Sequence, residues 1–209
     1  LILSAILMIM GEEREFSFLG FHGTAESCAI SISGTQEFTY GTPRKDHWLG
    51  KGAYFFKDDE LQAEYWATNK VNNHENFKGQ KPYVIEVYIN VKDKNFLNLD
   101  TRGGLEQLDD YLDVLKKEGM LISQSEKNTP DNIRCYLLSL LPDSIWVIQR
   151  TFYVQSRYDN KRMFKEMELH LHGTQVCVRN NEAICPGSIK VKEVDLRVRK
   201  PVRKSPRLF

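Results

Sequence analysis

Strand-like and helix-like runs follow one another along this chain without a regular βα repeat, and that irregular order most limits the folds open to it. PYVIEVYINV, 82–91, is the clearest strand, with apolar and polar residues alternating over part of its length. FSFLGFHGT, 16–24, reads as a strand of Phe and Leu broken by glycine, and GAYFF, 52–56, as a short aromatic strand. Further strand signals lie in NFLNLD, IWVIQRTFYV, TQVCVRN and SIKVKEVDL. Between them, 25–33 suits a short helix, and DDELQAEYWATNKV, 58–71, has acids in its first turn, where the helix dipole favours them. GLEQLDDYLDVLKKEG sets Leu105, Leu108, Tyr111, Leu112 and Leu115 at helical spacing and ends on Gly119. CYLLSLL reads as a further helix stopped by Pro142. Strands and helices in this order predict an α+β fold rather than a doubly wound sheet.

At 209 residues the chain has the length for one well-filled core. Its formal charge is +1, so no global field announces a nucleic-acid or membrane partner. The charge is unevenly placed, however. Residues 190–209 hold eight Lys or Arg against two acids, a net of +6, which leaves −5 on the rest. RVRKPVRKSPRLF, with two prolines, reads as a solvated tail or as an arm drawn to phosphates or to an acidic partner. Four cysteines form no CxxC pair, which argues against zinc and suits a reducing cytoplasm. LILSAILMIM, at the start, is shorter than the roughly 20 residues a membrane span needs. It has neither a basic stretch before it nor a cleavage-site pattern after it. It reads as a buried strand, or as residues preceding a start at Met8 or Met10.

Two motifs carry the chemistry. His22-Gly23-Thr24 and Gly50-Lys51-Gly52-Ala53-Tyr54-Phe55 fall on two short strands, and an acidic helix begins soon after the second. Either alone is an ordinary core pattern; together and in order they resemble the ADP-ribosyltransferases of the diphtheria-toxin and poly(ADP-ribose) polymerase branch. That resemblance spans about residues 18–190 and implies two small packed β-sheets with flanking helices, enclosing a cleft for NAD. It implies an N-terminal apolar segment, 1–17, a catalytic domain, 18–195, and a basic tail, 196–209.

The resemblance also assigns roles. His22 would bond a ribose hydroxyl, and Gly23 would hold the nicotinamide amide through its backbone. Thr24 and Gly52 would belong to the same NAD-binding set. Tyr54 would stack on the cationic nicotinamide ring, an interaction worth about 0.5–2 kcal/mol. Glycine suits close approach of backbone to a ligand.

The third family strand opens with Glu, and here the alignment puts Gln175 in that place. An amide orients a ribose by hydrogen bonding but cannot serve as a general base, since it does not titrate. Glu182, seven residues on, and Glu166 and Glu168 upstream are the rival positions. Without a base, positioning and electrostatic preorganisation would carry the reaction. That favours an acceptor needing little activation, such as a nucleobase nitrogen. The expected activity is therefore transfer of ADP-ribose from NAD to a macromolecule, RNA ahead of DNA or protein, with no metal. An NAD glycohydrolase and a non-catalytic NAD- or nucleic-acid-binding module on the same fold are the alternatives. The compact form resembles toxins of toxin–antitoxin or phage-defence modules, which implies a cytoplasmic site of action and a neutralising antitoxin, with or without a chaperone. Lys51, Arg150 and Arg157 are candidates for phosphate contacts, and His170 and His172 for the acceptor side.

Overall fold

A computed structural model describes residues 13–41, 47–119, 129–154 and 159–195. The apolar start, Arg157 and the basic run Arg197, Arg199, Lys200, Arg203, Lys204 and Arg207 lie outside the described residues.

The chain is α+β. Among the described residues seven strands, β1 (Glu15–Ala25), β2 (Ala53–Lys57), β3 (Pro82–Lys92), β4 (Phe96–Asn98), β5 (Val147–Tyr153), β6 (His172–Val178) and β7 (Lys190–Glu193), form one mixed sheet in the order β4-β5-β6-β2-β1-β3-β7. Among the described residues five helices accompany it: α1 (Glu26–Thr35), α2 (Glu60–Asn73), α3 (Arg102–Lys117), α4 (Pro130–Ser139) and the short α5 (Arg162–Glu166). Two expectations are corrected. The strands make one hydrogen-bonded sheet, not two packed sheets, because β1 and β2 still share two residue pairs that join the halves. FSFLGFHGT is one continuous strand, since Gly20 stays in the ladder opposite Val87.

The longest ladder joins β1 and β3 over eleven antiparallel pairs, from Glu15↔Lys92 to Ala25↔Pro82. β3 buries Val84, Ile85, Val87, Ile89 and Val91, and serves as the spine of the core. α2 begins where the acids predict it. Asp59 caps it, accepting from the Gln62 amide at 3.0 Å, and Asp58 turns the chain with φ +56°. Thr101 and Thr129 cap α3 and α4 in the same way, and Pro130 occupies the first turn of α4.

Helices cover both faces. On one, α1 adds Ala29 to a cluster holding Phe18, Phe55, Ile85, Ile89, Val147 and Val176. On the other, α4 closes Leu138 onto Leu49, Leu97, Ile148 and Cys177, while α2 packs Ala63 and Ala67 against Phe56 and Val84. Side chains alternate faces along a strand, so Tyr54 and Phe56 point to the α2–α4 side and Ala53 and Phe55 to the α1 side.

Candidate functional site

The β1–β2 ladder consists of Gly20↔Lys57 and Phe21↔Phe56. Continued in register it would set Gly23 opposite Tyr54, but the pairing has ended there. Instead the His22 ring crosses the seam, with Nδ1 2.8 Å from the Tyr54 carbonyl oxygen. A carbonyl has no proton to give, so Nδ1 carries the hydrogen. The ring sits edge-on to Phe38, at 5.4 Å and 83°, and 5.8 Å from Phe55. The two motifs, 32 residues apart, therefore meet where the sheet opens.

Packing accounts for each glycine of the two motifs. A Cβ on Gly23 would lie 2.1 Å from the Ala63 carbonyl oxygen and 2.8 Å from the Ala67 nitrogen, so α2 rests directly on this position. A Cβ on Gly52 would meet Cys177 Sγ at 2.5 Å and the Val178 carbonyl oxygen at 2.6 Å. Gly50 has φ +82° and lies against the end of α4. These glycines let backbone approach backbone. Thr24 is fully buried, and its hydroxyl accepts from Lys70 Nζ at 3.1 Å.

Tyr54 is held by its own loop. Its hydroxyl donates to the Gly50 carbonyl at 2.7 Å and accepts from the Leu49 amide at 2.8 Å. Its ring lies 4.9 Å from that of His47 and packs into the Leu49–Ile148 cluster. Burial, with Cys177 close by, pushes the phenol well above its ordinary range. The neighbouring Cys177 thiol is fully buried and pushed up to about 12. Both groups are neutral at physiological pH, and Cys177 is an inert core thiol.

Gln175 stands beside the open stretch. It pairs with Phe56 on β2 and with Arg150 on β5. Alternation puts its side chain on the α2–α4 face, in one cross-strand row with Arg150, Phe56 and Phe21 and diagonal to Tyr54. His22 turns its ring to the α1 side. Tyr54 and Gln175 thus share a face, while His22 reaches the site through the seam. Gln175 is half-buried between the two apolar clusters of that face.

The rival carboxylates lie elsewhere. β6 ends at Val178, so Glu182 is not on the strand at all: it is exposed in a single 3₁₀ turn, Asn181–Ala183, with its amide bonded to Asn180 Oδ1. Glu166 pairs with Arg162 at 2.6 Å in α5, and Glu168 is exposed. His170 approaches Asp159 at 3.7 Å, and both His170 and His172 lie edge-on to Tyr153 on the β5–β6 connection. The VRNN run after Gln175 is structural. Arg179 ties down the carbonyls of Leu141, Pro142 and Ile145, and Asn181 brackets Phe38 through its amide and carbonyl.

Sequence reasoning passed over several residues packed on Phe56, which pairs with Gln175, or on Phe152, its diagonal neighbour. Trp66 stacks on Phe56 at 6.3 Å, Trp48 meets Phe152 edge-on at 4.8 Å, and the Arg134 guanidinium lies 5.3 Å above the Phe152 ring. Arg150, a sequence candidate for a phosphate contact, bonds the Leu99 carbonyl and approaches Asp100 at 3.6 Å. The aromatic density of WLGKGAYFF and RTFYV was the available signal. Lys51 is exposed in the turn before β2.

Among the described residues no group of three or more His, Cys, Asp or Glu side chains is placed to hold a metal ion, and no helix is long and apolar enough to cross a membrane. Compared with protein-family models, curated proteins and solved structures, the chain matches none, so its assignment rests on its own residues and their geometry.

Proposed function

We propose that this chain is an NAD-dependent ADP-ribosyltransferase acting on a macromolecule, with nucleic acid, RNA ahead of DNA, as the acceptor. The observation that carries it is the opening of the sheet where Gly23 would face Tyr54, with Gln175 in the adjacent row. The backbone edge of Gly23, left without a β2 partner, suits the carboxamide of nicotinamide, which needs one donor and one acceptor. His22 Nε2 suits a ribose hydroxyl, and the Gln175 amide suits the other ribose. Tyr54 would enter by its ring alone, because its hydroxyl is taken by Gly50 and Leu49.

In the transfer, the bond from the ribose C1′ to the nicotinamide nitrogen breaks, and nicotinamide leaves neutral with the bonding pair. A lone pair on an acceptor nitrogen forms the new bond to C1′, and that nitrogen's proton passes to water. Gln175 orients the ribose and takes no proton. Such a step depends on alignment and on stabilising positive charge at C1′. On this proposal the protein acts in the cytoplasm as a toxin held in check by an antitoxin, with or without a chaperone.

The test is incubation of the full chain with NAD labelled in its adenylate moiety, with RNA, DNA and cell lysate in turn, followed by nuclease or protease. Label that disappears with nuclease is the expected outcome. Label removed only by protease makes the acceptor a protein, and nicotinamide release without transfer makes water the acceptor. NAD binding with no nicotinamide release overturns the enzymatic assignment. Gln175→Ala is expected to abolish transfer and Glu182→Ala to leave it within a few-fold; the opposite pattern moves the site to Glu182.

A further inference from the structure

Beside Gln175, on the same face, lies a group of side chains that NAD binding as proposed does not use. Trp48 and Phe152 meet at 4.8 Å with their planes 61° apart, which makes a corner of two flat apolar surfaces. The Arg134 guanidinium lies over Phe152, and its Nε donates to the Trp48 carbonyl at 2.8 Å, so one side chain holds both halves of the corner. The turn carrying Trp48 is fixed by the buried Leu49, by Gly50 and by the Tyr54 hydroxyl. Trp48 and Phe152 are half-buried, and the Arg134 and Arg150 side chains are 30% and 42% exposed. On β5, Phe152 lies two residues from Arg150, the direct partner of Gln175. That makes Phe152 and Gln175 diagonal neighbours, with Cβ atoms about 7 Å apart.

Charge narrows what this corner would take. Arg134 is paired with Asp131 at 2.7 Å, and Arg150 with Asp100 at 3.6 Å. The two cations are matched by two carboxylates, so an acidic peptide gains little there. A flat, uncharged ring gains fully, because stacking on Trp and Phe depends on contact area and not on net charge. Phosphates flanking such a ring would meet the exposed Lys51, three residues after Trp48.

We propose that the Trp48–Phe152–Arg134 corner is the acceptor subsite and holds one unpaired nucleobase of a single-stranded nucleic acid against Gln175. It rests on the transferase function proposed above and adds where the acceptor sits and why it must be single-stranded. A base in a duplex has its faces covered by its neighbours, so only an unstacked base can lay a face on this corner. The stacked base presents a nitrogen lone pair to C1′; nicotinamide departs with its bonding pair and the nitrogen's proton goes to water.

The experiment measures binding of the full chain to a labelled single-stranded oligouridylate and to a mixed-sequence single strand, by anisotropy and by tryptophan emission, without NAD. Stacking on Trp48 is expected to quench emission. Trp48→Phe should keep affinity within about threefold and lose the quench, leaving Trp66 and Trp146 as reporters of the fold. Trp48→Ala and Phe152→Leu should each weaken binding about 5- to 150-fold, the range for loss of one stacked base. Where Trp48→Ala loosens its turn, Phe152→Leu carries the measurement. Affinity unchanged in Phe152→Leu, a quench that survives Trp48→Phe, or a duplex bound as tightly as a single strand overturns the subsite. So does label that the wild type places on protein alone. The two proposals fail separately: a strand that quenches Trp48 with no nicotinamide release refutes the transferase, and release that ignores both substitutions even with RNA present refutes the subsite.

Discussion

On the α1 face of the sheet, fifteen buried residues form one apolar cluster running from Phe18 and Phe96 to Val176 and Ile184. On the opposite face the buried residues fall into two groups, one around Leu49, Ile148 and Leu138 and one around Phe56, Ala63 and Val84. The row Arg150–Gln175–Phe56–Phe21 runs across the interval, and the open stretch of the β1–β2 seam adjoins it. The first face does what a core must do, since continuous burial excludes water and stabilises the sheet at about 25 cal/mol per Å² of apolar surface. The second stops short of closure, so half-buried polar and aromatic side chains meet there at little cost. A site needs such an interval, because a side chain locked in a continuous core has no contact left for a ligand.

The contrast can be broken most directly at Gly23. Gly23→Ala drives a methyl into the backbone of α2 at Ala63 and Ala67, and neither can yield without moving the helix. We expect a loss of about 3 kcal/mol or more, and thermal melting checks it. Gly103, with nothing within 4 Å, serves as the control. Gly103→Ala should leave stability unchanged or raise it by up to about 1 kcal/mol.

Phe55→Ala and Gln175→Ala set the two faces against each other. Phe55 is 1% exposed, and its removal should cost about 3–5 kcal/mol in urea titrations. Gln175→Ala should change stability by less than about 0.5 kcal/mol while lowering label transfer at least about 100-fold. A large stability loss in Gln175→Ala would make that residue part of the core and end the distinction between the faces.

A smaller effect is expected at Tyr54. Tyr54→Phe keeps the ring and leaves the Gly50 carbonyl and Leu49 amide without their partner, at a cost of about 1–3 kcal/mol. If the hydroxyl only anchors the turn, kcat should survive while melting temperature falls; equal loss of both would mean that the hydroxyl acts in the reaction.

The last difference is one of pH. Cys177 has a folded-state value of about 12 against an ordinary 9.0, so the folded protein retains a proton that the unfolded chain releases. The stability this gives is complete below about pH 9 and is lost as pH rises toward 12, by up to about 1.4 kcal/mol per unit for this group. Tyr54, shifted in the same direction, adds to the loss above pH 10. Cys177→Ala should flatten the first part of this fall, measured by urea titration between pH 8 and 10. Transfer itself should show no acidic limb from Gln175, which does not titrate.

Local chemistry in the sequence was enough to set most elements. Alternation gave β3, the 3.6-residue period gave α3, and the acids before Leu61 gave the cap and first turn of α2. Each is decided within a dozen residues, where side-chain spacing and hydrogen-bonding geometry act directly. The short α5 and the single 3₁₀ turns escaped, because three to five residues give no period to detect.

What crosses the sheet was decided by tertiary structure. The sequence brought His22 and Tyr54 to notice, but the end of the β1–β2 ladder set their meeting point. Packing by Ala63 and Ala67 of α2, 40 and 44 residues from Gly23, supplied a reason for that glycine that the motif alone did not contain. Tertiary structure also set Glu182 off the strand and put Phe152, with Trp48 and Arg134 packed on it, diagonal to Gln175. Spacing along a chain fixes which face of one element a residue takes; only the register between elements fixes what that face meets, and register is set by contacts among residues far apart in sequence.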